Sequence, residues 1–258
     1  MNIHPTAIVS EKAQIGKNSV IGPFTIIEED VVVGDNTHIQ AHVFIGNGTT
    51  IGNNCKVFHG AVIGHNPQDI KFDTSIKTKT VIGNNTTIRE YTTIHRGTNA
   101  TGLTSVGDNC LIMAYCHIAH DCRLGNNIIM ANSTQLAGHV TVNDWAIFGG
   151  AVLIHQFVSI GCHTMLQGGS KLPKDAPPYT VIGRDPARVE GLNKIGLKRR
   201  GFTNETIKEI EKFYKTLLYS GLNISAGIEK YTEEHSEPIE DIRHCIGFIT
   251  NSQRGILH

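Results

Sequence analysis

The chain holds 258 residues with 23 Lys+Arg against 23 Asp+Glu, so its formal charge at pH 7 is zero. That balance argues against a broad nucleic-acid or membrane-binding surface, and no apolar run approaches the roughly 18 residues that span a bilayer. Six cysteines without a CxxC pair give no disulfide or zinc framework, and Met1-Asn2-Ile3-His4-Pro5 does not open a signal peptide, so a reduced cytoplasmic protein is expected.

From the first residues an aliphatic side chain returns every six positions: Ile3, Val9, Ile15, Ile21, Ile27, Val33, Ile39, Ile45, Ile51, Val57 and Ile63. The phase slips by one, Ile82, Ile88 and Ile94 resume it, and after a short disruption an unbroken run extends from Val106 to Leu172. Self-similarity at a fixed period marks a repeat architecture. The fifth position of each hexad is small (Ala7, Ser19, Thr25, Cys55, Thr86, Cys110, Cys116, Cys122, Ala146), and Gly, Asn and Asp fill the expected corners, as in Gly34-Asp35-Asn36. Such residues tolerate the positive φ of a sharp corner. Six residues fit a short strand plus a turn, three units close a coil, and stacked coils lie ~4.8 Å apart. An all-β parallel β-helix follows, a quasi-linear solenoid whose handedness the period leaves open. Cys55, Cys110, Cys116 and Cys122 read as core packing, while Cys162 and Cys245 lie outside that slot.

Two segments interrupt the repeat. His65 to Lys79 is polar, carries Pro67 and is too long for a corner, so it is expected to loop out; Gly97 to Thr104 is a shorter, weaker candidate. Loops on a rigid scaffold are where binding residues tend to lie. Beyond Leu172, Pro173, Pro177, Pro178 and Pro186 mark a linker. Thr203 is placed to N-cap a helix bearing Ile207, Ile210, Phe213, Tyr214, Leu217 and Leu218, with Gly221 as its stop; Ser236 is placed to cap another, and a shorter helix is expected around Ala226 to Glu234. The expected division is a β-helix over residues 1–185 and a small helical domain over 186–258.

Between Val106 and Leu172, residues 18 apart stack in adjacent coils, so His120, Gly138 and Gln156 form one column. His117 and Asp121 flank His120, His139 flanks Gly138 and His155 flanks Gln156; unlike polar groups converging on one edge of a repetitive rod look like a site. His4, His38, His42 and His163 read instead as surface histidines. Zinc on His117, His120 and His139 competes with an organic reaction, although the spacing puts these residues on different parts of a coil. An ice-binding or scaffold solenoid would present regular Thr or Ser ladders, and only scattered pairs such as Thr49-Thr50 are present.

The hexads, the looped NPQD at Asn66 to Asp69, IHRGT at Ile94 to Thr98, HIAHD at His117 to Asp121, LAGHV at Leu136 to Val140, HQF at His155 to Phe157 and GLKRRGF at Gly196 to Phe202 together resemble the UDP-N-acetylglucosamine acyltransferase family, over essentially the whole chain. The resemblance implies a left-handed β-helix, a homotrimer with sites between subunits, and the first committed acyl transfer of lipid A biosynthesis, from acyl carrier protein to the 3-position of UDP-N-acetylglucosamine. It implies no cofactor and no metal. His120 matches the general base and Gly138 the backbone N–H donor to the oxyanion, while Asp121 is the candidate, from its position, to orient His120. Asp69 and Lys71 match groups contacting sugar and phosphates; His117, His139 and Gln156 match sugar contacts, with His95 and His155 lining the same cleft. Asn193 and Arg200, with Arg199 beside them, match nucleotide-binding positions, the basic stretch from Arg188 to Arg200 becomes a landing site for the acidic carrier protein, and Gly168 aligns with the residue that measures acyl length. One departure stands out: relatives carry an acid where Ile195 stands here. Alternatives are the 3-amino analogue of the sugar as acceptor, or a CoA donor; the related later N-acyltransferase adds a domain before its repeat, whereas hexads here begin at Ile3.

Overall fold

The computed structural model describes residues 2–258. Three sheets of 11, 9 and 8 strands, parallel except for one closing hairpin, wrap one core, and each chain segment visits them in turn. The register is the one the hexads require: Lys56-Val57 pairs with His38-Ile39, His117-Ile118 with Gln135-Leu136, and Ile147-Phe148 with Met165-Leu166. One residue of each pair points inward, and Ile45, Ile63, Ile94, Ile118, Leu136 and Ile160 are buried. At about 1.5–3 kcal/mol for each such side chain, this ladder is the main force stacking the coils.

The small slot has a polar reason as well as a steric one. Ser19 Oγ donates to Gly34 O at 2.7 Å, Thr25 Oγ1 to Gln40 O at 2.6 Å and Thr86 Oγ1 to Gly107 O at 2.9 Å. Cys55 Sγ reaches Gly83 O at 3.0 Å and Cys122 Sγ reaches Ala137 O at 3.1 Å. Each side chain thus satisfies a carbonyl that a turn leaves without a partner. Burial pushes the Cys110 and Cys116 thiols up to about 11 and Cys122 to about 12, so these cysteines stay unreactive thiols of the core.

The corners depart from expectation. One column of left-handed residues is Asn18, Asn36, Asn54, Asn85, Asn109 and Asn127, but it continues through Trp145, His163 and Tyr179. A second holds Phe24, His42, Tyr91 and Tyr115, and a third Asp121, His139 and Phe157. Rings take over where a left-handed conformation costs an L-residue roughly 1–2 kcal/mol, and they stack: Tyr91 on Tyr115 at 5.4 Å, His163 on Tyr179 at 5.6 Å. Periodicity alone carries no sign of this exchange.

Residues 66–78 leave the solenoid between strands Val62–His65 and Lys79–Ile82, and residues 97–102 make a tighter excursion before strand Leu103–Val106, both within the segments expected. The last coil ends in an antiparallel hairpin, Thr180–Gly183 with Arg188–Leu192, so residue 185 lies in its turn. Four helices follow: α1 (Lys194–Arg199), α2 (Asn204–Tyr219), α3 (Ile224–Glu234) and α4 (Glu240–Thr250). Thr203 caps α2, accepting from Thr206 N at 3.1 Å, and Gly221 follows its end at φ +76°. Ser236 does not cap α4: the helix starts after Ile239 without a side-chain cap, because Pro238 biases the residue before it away from helical geometry. The helices bury Ile207, Ile210, Phe213, Tyr231 and Ile249 against one another and against Tyr179 of the solenoid. Tyr179 Oη donates to Asp241 at 2.9 Å and Ser252 Oγ to Asp175 at 2.6 Å, which ties tail to rod. Among the described residues no helix is long and apolar enough to cross a membrane.

Candidate active site

Backbone rungs hold the His120 column in register: His139 N donates to His120 O at 3.0 Å and Phe157 N to Gly138 O at 3.1 Å. His120, Gly138 and Gln156 therefore succeed one another up one corner, as the 18-residue spacing requires. The imidazole of His120 lies over Gly138. A methyl at that glycine would sit 2.6 Å from His120 Cε1 and 2.8 Å from Nε2, so only glycine leaves room for the ring. Among the described residues, the Gly138 N–H has no acceptor.

Asp121 follows at φ +60° and is 3% exposed. Its Oδ2 meets His120 Nδ1 at 2.8 Å. The excursion from Gly97 supplies the remaining donors: Thr98 N at 3.1 and 3.2 Å, Thr98 Oγ1 at 2.7 Å, and the Thr101 hydroxyl. Burial works to raise this carboxyl, but the hydrogen bonds from Thr101, Thr98 and His120 prevail and hold it at about 2. An ionised carboxylate only accepts, so Nδ1 of His120 carries the proton it donates, and in the neutral ring this tautomer leaves the lone pair on Nε2.

Neutral histidines surround this pair. His139 packs edge-on to His120 at 5.2 Å and stacks on Phe157 at 4.5 Å, with Nε2 3.7 Å from Asp121. Burial lowers its proton affinity, the Asp121 charge opposes this, and His120 adds to the lowering. His117 Nδ1 meets Thr93 Oγ1 at 2.7 Å, and burial, then His120, lowers it too. His95 is 5% exposed, edge-on to His117 at 4.8 Å, and is pushed down to about 4 by burial and then by His117, His65 and His120. Its Nδ1 is buried without a partner. Gln156 is exposed at the end of the column and His155 beside it.

Ligand atoms of His120, Asp121 and His139 lie within 4.8 Å of one another, the arrangement a metal would use. His117 is not among them, since it is turned to Thr93. The carboxylate is already occupied by Thr98, Thr101 and His120, so a cation would have to displace them.

The remaining candidates lie apart. Asp69 and Lys71 stand exposed on the looped segment, Asp69 Oδ1 accepting from Lys71 N at 2.9 Å, and among the described residues no contact joins them to His120. Asn193 is buried, accepts from Gly196 N at 3.1 Å to cap α1, and donates to His163 O at 2.8 Å. Arg199 is exposed, while Arg200 is partly buried over Trp145 at 5.1 Å and meets His163 Nδ1 at 3.3 Å. Gly168 stacks on Gly150 at an exposed corner, where an added methyl would come within 3.2 Å of Gly150 O. His163, read from sequence as a surface histidine, is instead a partly buried ring between Trp145 and Tyr179, pushed down to about 4 by burial and by Arg200. Thr98 and Thr101 join the site without a predicted role; the break in period at Gly97 is the available sequence signal.

A hexad solenoid carrying a carboxylate–imidazole pair against an open glycine is the build of a hexapeptide-repeat transferase, and the model described as bacterial transferase hexapeptide matches residues 12–47 and 104–138. The model for domain 2 of UDP-N-acetylglucosamine O-acyltransferase matches residues 175–257. The chain is 44% identical to the acyl-[acyl-carrier-protein]–UDP-N-acetylglucosamine O-acyltransferase of Xylella fastidiosa, covering 99% of this chain and 97% of the relative. It is 42% identical to that of Paraburkholderia phymatum over 99% and 98%. Among solved structures, the UDP-N-acetylglucosamine acyltransferase of Bacteroides fragilis superposes with a TM-score of 0.96 at 45% identity, covering 99% of both chains. That of Campylobacter jejuni gives 0.93 at 40%, again over 99% of both. The chain belongs to the UDP-N-acetylglucosamine O-acyltransferase family, and its fold is the left-handed parallel β-helix of that family followed by short helices.

Proposed function

We propose that this protein transfers a 3-hydroxyacyl chain from acyl carrier protein to the 3-hydroxyl of UDP-N-acetylglucosamine, the first step of lipid A biosynthesis, with His120 as general base. The observation that carries the reading is the His120–Asp121 hydrogen bond of 2.8 Å beside the open N–H of Gly138. Nε2 of His120 takes the hydroxyl proton as the sugar oxygen attacks the thioester carbonyl. The negative charge on Asp121 stabilises the imidazolium that forms. The new oxyanion accepts from Gly138 N–H, and a glycine lets it approach the backbone closely. Collapse re-forms the carbonyl and expels the carrier-protein thiolate, which recovers the proton from Nε2.

Neutral His95, His117 and His139 suit hydroxyl recognition, since each offers one donor and one acceptor; with His155 and Gln156 they line the sugar cleft. Asn193, Arg199 and Arg200 hold the nucleotide, and the exposed basic stretch around them receives the acidic carrier protein. Gly168 leaves the acyl groove open. Asp69 and Lys71 contact the sugar and phosphates from the looped segment, and the protein acts as a homotrimer with sites between subunits. Outward apolar ladders support such association: Ile8, Ile26, Phe44 and Val62 on one sheet, Leu111, Ile129, Ile147 and Met165 on another. In this reading the catalytic rod runs to residue 185, residues 186–258 are the nucleotide and carrier-protein unit, and the reaction is cytoplasmic without a bound cofactor.

The test offers UDP-N-acetylglucosamine and its 3-amino analogue separately, each with a ladder of 3-hydroxyacyl carrier proteins. Transfer to the hydroxyl acceptor is the expected result. Transfer to the amine alone would reassign the nucleophile, and no transfer from any carrier-protein donor would overturn the reading.

A further inference from the structure

The geometry points to Thr98 and Thr101 as positioning residues for the reaction, a clamp that aims the Asp121 carboxylate at His120 and away from His139. The inference rests on the acyl-transfer reading above. Asp121 stands between two imidazoles: His120 Nδ1 is 2.8 Å from Oδ2 and His139 Nε2 is 3.7 Å from the same oxygen. Both rings are 20% exposed at the side chain, so neither is favoured by burial. What distinguishes them is the orientation of the carboxylate, and the excursion after Ile94 sets it.

Three of its donors converge on that group. Thr98 N lies 3.1 Å from Oδ1 and 3.2 Å from Oδ2, Thr98 Oγ1 donates to Oδ2 at 2.7 Å, and the Thr101 hydroxyl donates to Oδ1. A third threonine, Thr104, accepts from Asp121 N at 2.8 Å and pins the backbone beneath. The excursion is braced for this: Gly102 N donates to Thr98 O at 2.7 Å, Ala100 N to Thr98 Oγ1 at 3.2 Å, and Leu103 N to Thr101 Oγ1 at 3.4 Å. Gly97 permits the closure, since a methyl there would sit 2.2 Å from Leu103 N. A hexad solenoid needs no such segment, and its two hydroxyls spend their protons on one buried carboxylate. Two consequences follow. The carboxylate stays ionised despite burial, and the one acceptor direction left over faces His120 Nδ1, which fixes the tautomer with Nε2 free.

The test uses the full-length enzyme with UDP-N-acetylglucosamine and a 3-hydroxyacyl carrier protein, and compares Thr98→Val, Thr98→Ser, Thr101→Val and the double valine variant. Thr101 is exposed, so Thr101→Val leaves the core intact and remains informative should Thr98→Val fold poorly. The expected result is a kcat lowered about tenfold in each valine variant and more in the double, with KM for the nucleotide sugar changed less than about threefold. Thr98→Ser restores kcat. Valine variants with parental kcat, or with KM raised as much as kcat falls, would overturn the inference, as would losses in Thr98→Val that Thr98→Ser fails to restore. A parent enzyme that transfers no acyl group would instead refute the reading on which it rests.

Discussion

Replacing Gly138 by alanine separates a steric requirement from a hydrogen-bonding one. Alanine keeps the backbone N–H offered to the oxyanion but adds a methyl 2.6 Å from His120 Cε1, 2.8 Å from Nε2 and 3.2 Å from Nδ1. Carbon contacts settle at about 3.5–4.0 Å, so the ring must retreat by about 1 Å. That motion breaks the 2.8 Å bond to Asp121, and a hydrogen bond to a charged group contributes about 1.5–3 kcal/mol. A 1 Å misplacement of a catalytic group costs about 100-fold, which agrees with the upper part of that range. The backbone imposes no further penalty, because Gly138 does not occupy the left-handed region. Steady-state transfer should therefore show kcat down about 100-fold, with the thermal midpoint within a few degrees of the parent. A Gly138→Ala enzyme retaining kcat within about threefold, or a structure of it with His120 still bonded to Asp121, would refute the reasoning.

Asp121→Asn places an amide among N–H and O–H donors, so kcat should fall at least about 100-fold and the thermal midpoint should drop as well; parental kcat would remove Asp121 from the mechanism. His95 predicts a pH dependence of stability. Its fold-state value of about 4 lies below the ordinary 6.5, so the stability from its neutral form is present above pH ~6.5 and is lost as pH falls toward 4. Chemical denaturation at pH 7.5 and 4.5 should show the parent losing roughly 2–3 kcal/mol more than His95→Gln, and equal losses would contradict the assignment. Arg200→Ala should raise KM for the nucleotide sugar about tenfold with kcat within about threefold, measured by initial rates; an unchanged KM would exclude Arg200 from binding.

The solenoid was legible because a single stripe of Ile, Val and Leu at period six encodes both the inward face and the register, so Ile118 opposite Leu136 follows from spacing alone. The same arithmetic placed Gly138 over His120. Where the period ends, legibility ends with it: strand Arg188–Leu192 pairs antiparallel by virtue of a turn, and nothing in its composition separates it from the approach to a helix. The corners illustrate a subtler limit. Tyr91, Tyr115, Trp145 and His163 occupy left-handed positions by stacking on neighbouring coils, which is a tertiary compensation for an unfavourable local conformation. His163 reads as a surface residue for that reason, since its partners Trp145, Tyr179 and Arg200 come from 18, 16 and 37 residues away. The roles of Thr98 and Thr101 are illegible in the same way, because their carboxylate partner lies in the following coil.

The most direct test of the account is the rate of 3-hydroxyacyl transfer to UDP-N-acetylglucosamine by His120→Ala beside the parent enzyme. The partly exposed ring contributes little to the core, so the variant should fold and melt like the parent while kcat falls by about 1,000-fold or more. A folded His120→Ala enzyme that transfers at a rate near the parental one would contradict the assignment of His120 as the base.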